Sequence, residues 1–181
     1  GGGFIGLEVA ENLQSRGIRT TVLDMLPHIM PGFDPEMAEF VEDHLADQGI
    51  MTLLDTKLEG VEGDGTVEKV KTSRRAIKAD ALVLSLGIRA NTAFLADTGI
   101  ELAPNRTVLV DDHMRTNDEN IYALGDCSMI TNRMTHARAW SPMGSSANIE
   151  GRIAAQNIAG ADVSYPGVLG TGVVKLPGLN A

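Results

Sequence analysis

Gly1-Gly2-Gly3-Phe4-Ile5-Gly6 fits G-x-G-x-x-G, and with the helix and strand signals directly after it restricts the possible fold more than any other stretch of the chain. Ile5, Val9 and Leu13 recur every four positions, and Leu7 and Ala10 widen the apolar stripe. This predicts a helix over 4–16 with Gly17 as a left-handed cap. Residues 19–24 then read as a strand, with β-branched Thr20, Thr21 and Val22 ahead of Leu23. Glycine loop, helix and strand make half of a βαβ unit. In such a unit Gly1 allows the tight turn, Gly3 lets the backbone approach a pyrophosphate, and Gly6 lets helix and sheet pack closely. The helix N-terminus adds free N–H donors and a partial positive charge. Alone the glycine spacing is a weak signal, whose plain alternative is a glycine-rich start. Asp24 strengthens it by standing at the end of the next strand, about 20 residues on. Its carboxylate can accept both hydroxyls of an adenosine ribose and repels a 2'-phosphate, which favours NAD(H) over NADP(H). Its plain alternative is a surface acid at a strand end.

Further along, Asp34 and Pro35 suit the N-cap and first position of a second helix. Met37, Phe40, Val41 and Leu45 are expected on its buried face, and Gly49 at its end. Residues 50–54 read as a short strand. Two charged segments between 57 and 79 flank Asp64-Gly65, a hairpin signal, and predict a small antiparallel meander. The apolar run 81–86 predicts a parallel strand buried on both faces. Residues 108–110 and 121–123 are strand candidates; the stretch after Asp126 reads as irregular, and 146–159 as a helix closed by Gly160. The remainder, 161–181, looks like a linker.

Charge and cysteine content narrow the function classes. With 24 acidic and 15 basic residues the net charge is -9, which argues against electrostatic affinity for nucleic acid or an anionic membrane. The single cysteine, Cys127, excludes an internal disulfide framework and a four-thiolate zinc site within the chain. No apolar run reaches the length of a membrane span and no leader pattern is present, so a cytoplasmic protein is expected. The four histidines, His28, His44, His113 and His136, show no ligand spacing, and no metal site is predicted.

A second motif is independent of the first and more specific. Residues 116–126 run Thr116, four variable residues, Ile121, Tyr122, Ala123, Leu124, Gly125 and Asp126, placing an acid just after a short strand and a glycine. Here the chain resembles the FAD-dependent pyridine nucleotide-disulfide oxidoreductase family, whose second flavin motif reads T-x-x-x-x-I-Y-A-x-G-D. The texture is similar to the branch holding NADH oxidase, NADH peroxidase and coenzyme A-disulfide reductase. The resemblance implies that Asp126 binds the ribityl hydroxyls of FAD while Gly125 keeps the approach open. It implies that Met143, Gly144 and Ser145 begin a flavin-facing helix. On the NAD side it places Glu8 near the nicotinamide, Ile5 in contact with NAD, Phe33 on adenine, and Gly87 at the nicotinamide end. Ala90 stands where proline is usual and Glu150 where glutamine is common, two departures that touch no implied ligand contact. Trp140 either meets the flavin or packs beneath the loop.

The fold class so implied is α/β. It comprises a Rossmann-like NAD(H)-binding domain with an antiparallel β-meander over 1–102, lacking its first strand, and the C-terminal part of a split FAD-binding domain over 103–160. Residues 161–181 would start an interface domain that builds a homodimer. The chain would then be an internal fragment cut at both ends, without turnover of its own. The intact enzyme would pass hydride from NADH to FAD and on to a disulfide, peroxide or oxygen acceptor. No catalytic residue is expected in the chain, because the family's redox cysteine lies upstream and Cys127 sits in the wrong motif for that role. The alternative is a non-catalytic NAD(H)-binding or redox-sensing module built from the same features.

Overall fold

Helix α1 (Phe4–Gln14) buries Leu7 and Ala10 and leaves Ile5 60% exposed, so its inward face is set by the 3.6-residue period and not by the every-fourth spacing of Ile5, Val9 and Leu13. Gly17, at φ +76°, closes it by donating to the Gln14 carbonyl at 2.8 Å. The chain then enters β1 (Thr21–Leu23), crosses through α2 (Pro35–Asp47) and returns as β2 (Met51–Leu53), which pairs with β1 in parallel. β1, α2 and β2 together make a complete βαβ unit, following the glycine loop, α1 and β1 that the sequence reads as half of one. Pro35 occupies the first turn of α2 as expected, although the Asp34 side chain makes no capping bond. The inward face of α2 is Ala38, Val41 and Leu45; Met37 and Phe40, expected there, face solvent.

The computed structural model describes residues 1–180, which divide into two compact units, Gly1–Gly87 with the segment from Gly172 onward, and Ile88–Thr171. The core of the first unit gathers Leu7, Val22, Ile29, Met30, Val41, Leu45 and Ile50. Val174 and Leu176 complete that core from the short hairpin of β9 (Lys175–Leu176) and β10 (Leu179–Asn180), so the segment that looked like a linker is packed structure. His44 Nε2 on α2 holds the hairpin at the Pro177 carbonyl.

The meander forms as predicted, from β3 (Leu58–Glu62), β4 (Lys69–Thr72) and β5 (Ala76–Lys78), all antiparallel. Val70 and Thr72 point inward while Lys69 and Lys71 face water. Its first connection is longer than a two-residue hairpin. Gly65 takes the left-handed conformation at φ +74°, and Glu68 N–H closes the loop on the Glu62 carbonyl at 2.9 Å. The run 81–86 is a correction. It is not a ladder strand, and Val83, Leu84 and Leu86 are 55%, 60% and 74% exposed. An apolar run becomes a buried strand only by pairing, and among the described residues no strand pairs with it. It does lie against the glycine loop, with Ser85 Oγ donating to the Gly1 carbonyl at 3.5 Å.

In the second unit β6 (Val108–Leu109) pairs in parallel with β7 (Ser128–Thr131), which pairs antiparallel with β8 (Arg138–Ala139). β7 and β8 lie in the stretch that read as irregular; four and two residues are too short to show a period. Residues 121–123 form only a single bridge, Tyr122 to Arg115. Helix α3 (Gly144–Ile158) starts two residues before the predicted helix and ends on Gly160 at φ +93°. It packs Ile153 and Ala154 against Val108, Val110, Met114, Ile130 and Tyr165. Leu95, Ile100 and Leu102 join this second core. Among the described residues no helix is long and apolar enough to cross a membrane.

Candidate functional site

In the first unit the three spaced glycines have three different surroundings. A Cβ on Gly1 would lie 2.0 Å from the Ser85 carbonyl oxygen, and one on Gly6 only 1.8 Å from the Gly1 carbonyl oxygen. Both positions are closed by backbone. A Cβ on Gly3 would meet nothing within 4 Å. Gly3 is the N-cap of α1, extended at φ −81°, and no side chain caps the helix. No side chain caps the first turn of α1, and the residue at its N-cap has none of its own.

Asp24 is tied to the same loop. Its Oδ2 accepts from the Gly2 amide at 2.6 Å and its Oδ1 from the Leu26 amide at 2.9 Å. Each carboxylate oxygen keeps a second lone-pair direction for a hydroxyl. The parallel β1–β2 pair places this acid by the bond from its amide to the Leu53 carbonyl. Phe33 stands at the helix start, edge-on to Phe4 with ring centroids 6.0 Å apart. Its loop is carried by Met30, which is buried at φ +52° and donates to the Gly2 carbonyl at 2.8 Å. Ile5 and Glu8 are exposed on α1, and Gly87, also exposed, takes φ +84°.

The second unit holds the other predicted set. Gly125, buried and at φ +75°, opens the 3-10 turn Gly125–Cys127, and Asp126 stands exposed on it. Among the described residues the Asp126 carboxylate has no hydrogen-bond partner, while its carbonyl accepts from Trp140 Nε1 at 2.9 Å. Trp140 thus braces the turn. The turn packs against α3, whose N-cap is Met143 and which no side chain caps. Gly144 and Ser145 are exposed, and a Cβ on Gly144 would meet nothing within 4 Å. The cysteine of the turn, Cys127, is half-buried with Sγ 3.4 Å from the Leu124 carbonyl.

Glu150 is the residue whose importance the sequence understated. It is wholly buried on α3, and its Oε2 accepts from the Gly125 amide at 2.6 Å and lies 2.9 Å from the Ser128 hydroxyl. Burial pushes its carboxyl above the ordinary value of 4.5; the bonds from Gly125 and Ser128 oppose that shift and the charge of Asp126 adds to it. The folded chain therefore holds this proton more tightly than the unfolded one. The stability it contributes is complete below 4.5 and declines as pH rises through the folded value. Melting temperatures across this range should fall less steeply for Glu150→Gln than for the unaltered chain.

The structure does bring one histidine among acids: ligand atoms of Asp111, Asp112 and His113 lie within 4.8 Å of one another. Both ring nitrogens of His113 are already engaged, with Asp112 and Asp162 at 2.8 Å each, and Asp111 Oδ1 accepts the His113 and Arg115 amides. These groups make a charged clasp between the 111–113 turn and the end of the second unit. Asp162 foremost, then Asp112, raises the imidazole above 6.5. Stability from the clasp is thus present below 6.5 and lost as pH rises through the raised value. His113→Asn is expected to remove that upper part of the pH dependence of melting.

Each unit thus presents an uncapped helix start beside a glycine turn and an acid. The sequence profile described as pyridine nucleotide-disulphide oxidoreductase matches residues 1–144. The chain belongs to that family. It is 34% identical over 177 residues to an NADH oxidase of Methanocaldococcus jannaschii, a match covering 97% of this chain and 39% of the relative. It is 35% identical over 176 residues to a CoA-dependent NAD(P)H sulfur oxidoreductase of Pyrococcus abyssi, again covering 97% and 39%. Among solved structures, a FAD-dependent pyridine nucleotide-disulphide oxidoreductase from Desulfovibrio vulgaris superposes with a TM-score of 0.88 at 39% identity, covering 97% of this chain and 45% of that one. The chain therefore spans about two fifths of the length of these curated relatives.

Proposed function

We propose that this chain is the nucleotide-handling part of a flavoprotein oxidoreductase that passes hydride from NADH to FAD and onward to a disulfide, peroxide or oxygen acceptor. The carrying observation is the recurrence, once in each unit, of an uncapped helix start joined to a glycine turn and a carboxylate. The residues present fit both groups: the space beside Gly3 suits a diphosphate, and the unshared carboxylate of Asp126 suits a polyhydroxyl chain. When bound, nicotinamide supplies the hydride and flavin takes it up and hands electrons to the acceptor.

The roles rest on what each residue offers. The α1 amides and the bare Gly3 hold the diphosphate of NAD(H), with Gly1 and Gly6 keeping the turn closed beneath it. Asp24 accepts the ribose hydroxyls and repels a 2'-phosphate. Phe33 covers the adenine, and Ile5, Glu8 and Gly87 serve the nicotinamide end. In the second unit Asp126 accepts ribityl hydroxyls, Gly125 leaves the approach open, and Met143, Gly144 and Ser145 turn amides toward the flavin. The intact protein in this proposal carries an NAD(H) domain over 1–102, an FAD segment over 103–160 and an interface segment from 161, and works as a cytoplasmic homodimer.

Ligand preference tests the first site. Binding of NADH is expected to exceed that of NADPH by about tenfold or more, because the Asp24 carboxylate opposes the extra phosphate. Asp24→Asn removes the charge while keeping an acceptor oxygen for the loop, and should narrow the ratio to about threefold. Equal affinity of the unaltered chain for the two nucleotides would refute this role for Asp24.

A further inference from the structure

Glu150 is the one ionisable side chain among the fully buried residues described, and the roles assigned above do not use it. It lies on α3, yet both ends of its contact are on the turn that carries Asp126. Gly125 takes a left-handed conformation, which turns its N–H out of any strand ladder and into the interior. Glu150 Oε2 meets that N–H at 2.6 Å. The same oxygen lies 2.9 Å from the Ser128 hydroxyl, which is itself 2.9 Å from the Gly125 carbonyl. One oxygen thus pins the entry and the exit of the turn Gly125–Cys127, with Asp126 projecting from the middle. An apolar side chain here would pack well but leave the buried Gly125 donor unmet, a penalty that a carboxyl or carboxamide avoids.

The other groups facing the carboxyl are Asp126 on the turn and Tyr165. Oε1 has no partner among the described residues. Nothing in this arrangement brings Glu150 to a ligand directly, since it is wholly buried.

We propose that Glu150 is a positioning residue that, through the Gly125 amide and the Ser128 hydroxyl, fixes the turn that presents the Asp126 carboxylate to the polyhydroxyl chain of the flavin cofactor. The proposal rests on the assignment of FAD to the second unit. Loss of the anchor frees the turn, and Asp126 then meets its ligand only in a fraction of conformers.

Two readouts on the 181-residue chain test this, amide hydrogen exchange at Gly125 and Asp126 and the affinity for added FAD. Glu150→Leu is expected to speed Gly125 exchange by about 100-fold and weaken FAD binding by about tenfold, the scale of one charge-assisted hydrogen bond. Exchange at Ile130 in β7 should stay as it was. Glu150→Gln, which keeps an acceptor oxygen at the same place, should restore both to within about threefold. Unchanged Gly125 exchange in Glu150→Leu would overturn the proposal, as would unchanged FAD affinity in that variant while Asp126→Ala loses it. If Asp126→Ala leaves FAD affinity intact, the flavin assignment fails instead, and the exchange rates still uphold or overturn the anchoring. Should Glu150→Leu not fold, the unaltered chain decides. Its Gly125 amide resonance must track the titration of a carboxyl, and must cease to do so in Glu150→Gln. A Gly125 resonance indifferent to pH would overturn the anchor.

Discussion

Gly6→Ala is expected to lower the melting temperature of the chain by about 6–12 °C, whereas Gly3→Ala, three residues away, should leave it within a few degrees. The added Cβ at Gly6 would stand 1.8 Å from the Gly1 carbonyl oxygen, and a backbone atom cannot swing aside as a side-chain end can. Forcing α1 and the glycine loop apart costs about 3 kcal/mol, which in a chain of this length corresponds to that shift. At Gly3 the new methyl points into open space from a φ of −81° that alanine adopts freely. Its cost is that of a poorer N-cap, about 1 kcal/mol or less. The space it fills is where a diphosphate must approach, so NADH affinity should drop by about ten- to a hundredfold. Two alanines in one motif are thus expected to separate the glycine that folds the loop from the glycine that serves the ligand. Thermal melting and NADH titration of both variants check this. A Gly6→Ala chain that melts normally would show that helix and loop are not locked by this contact.

Asp126→Ala is expected to have the opposite balance to Gly6→Ala: large in ligand binding and negligible in folding. The carboxylate is exposed and has no partner among the described residues, so its removal should change stability by no more than about 0.5 kcal/mol. Hydroxyl bonds to a charged acceptor are worth about 1.5–3 kcal/mol each. The affinity for FAD should therefore fall about a hundredfold while the melting curve is preserved. The contrast with Glu150 is informative, because that acid is buried beneath the same turn and its removal should disturb turn and ligand together.

Much of the first unit was legible in the sequence because its signals are local and redundant. The glycine spacing, the helix directly after it, the strand end at Asp24 and the Asp64-Gly65 turn each fix backbone geometry within a few residues. What could not be read depends on partners distant in the chain. The run 81–86 has the composition of a buried strand but no strand pairs with it among the described residues, and Met37 and Phe40 carry apolar side chains on a face that nothing in the described chain covers. The tail packs because Val174 and Leu176 find a gap in a core whose other members, from Leu7 to Ile50, stand far earlier in the chain, which no periodicity announces. Glu150 reads as a mere departure from a motif, since nothing in the local sequence says that its carboxyl reaches the amide of Gly125. The Asp111, Asp112 and His113 group is not legible for the same reason, as Asp162 completes it from far along the chain.

The central claim is that two nucleotide sites exist, one in each unit, each with its own carboxylate and helix start. Calorimetric titration of the unaltered chain, Gly3→Ala and Asp126→Ala with NADH and with FAD tests it most directly. The expected pattern is crossed: Gly3→Ala loses NADH and keeps FAD, Asp126→Ala loses FAD and keeps NADH, and the unaltered chain binds one of each. A single ligand affected equally by both substitutions, or neither ligand affected by either, would contradict the account.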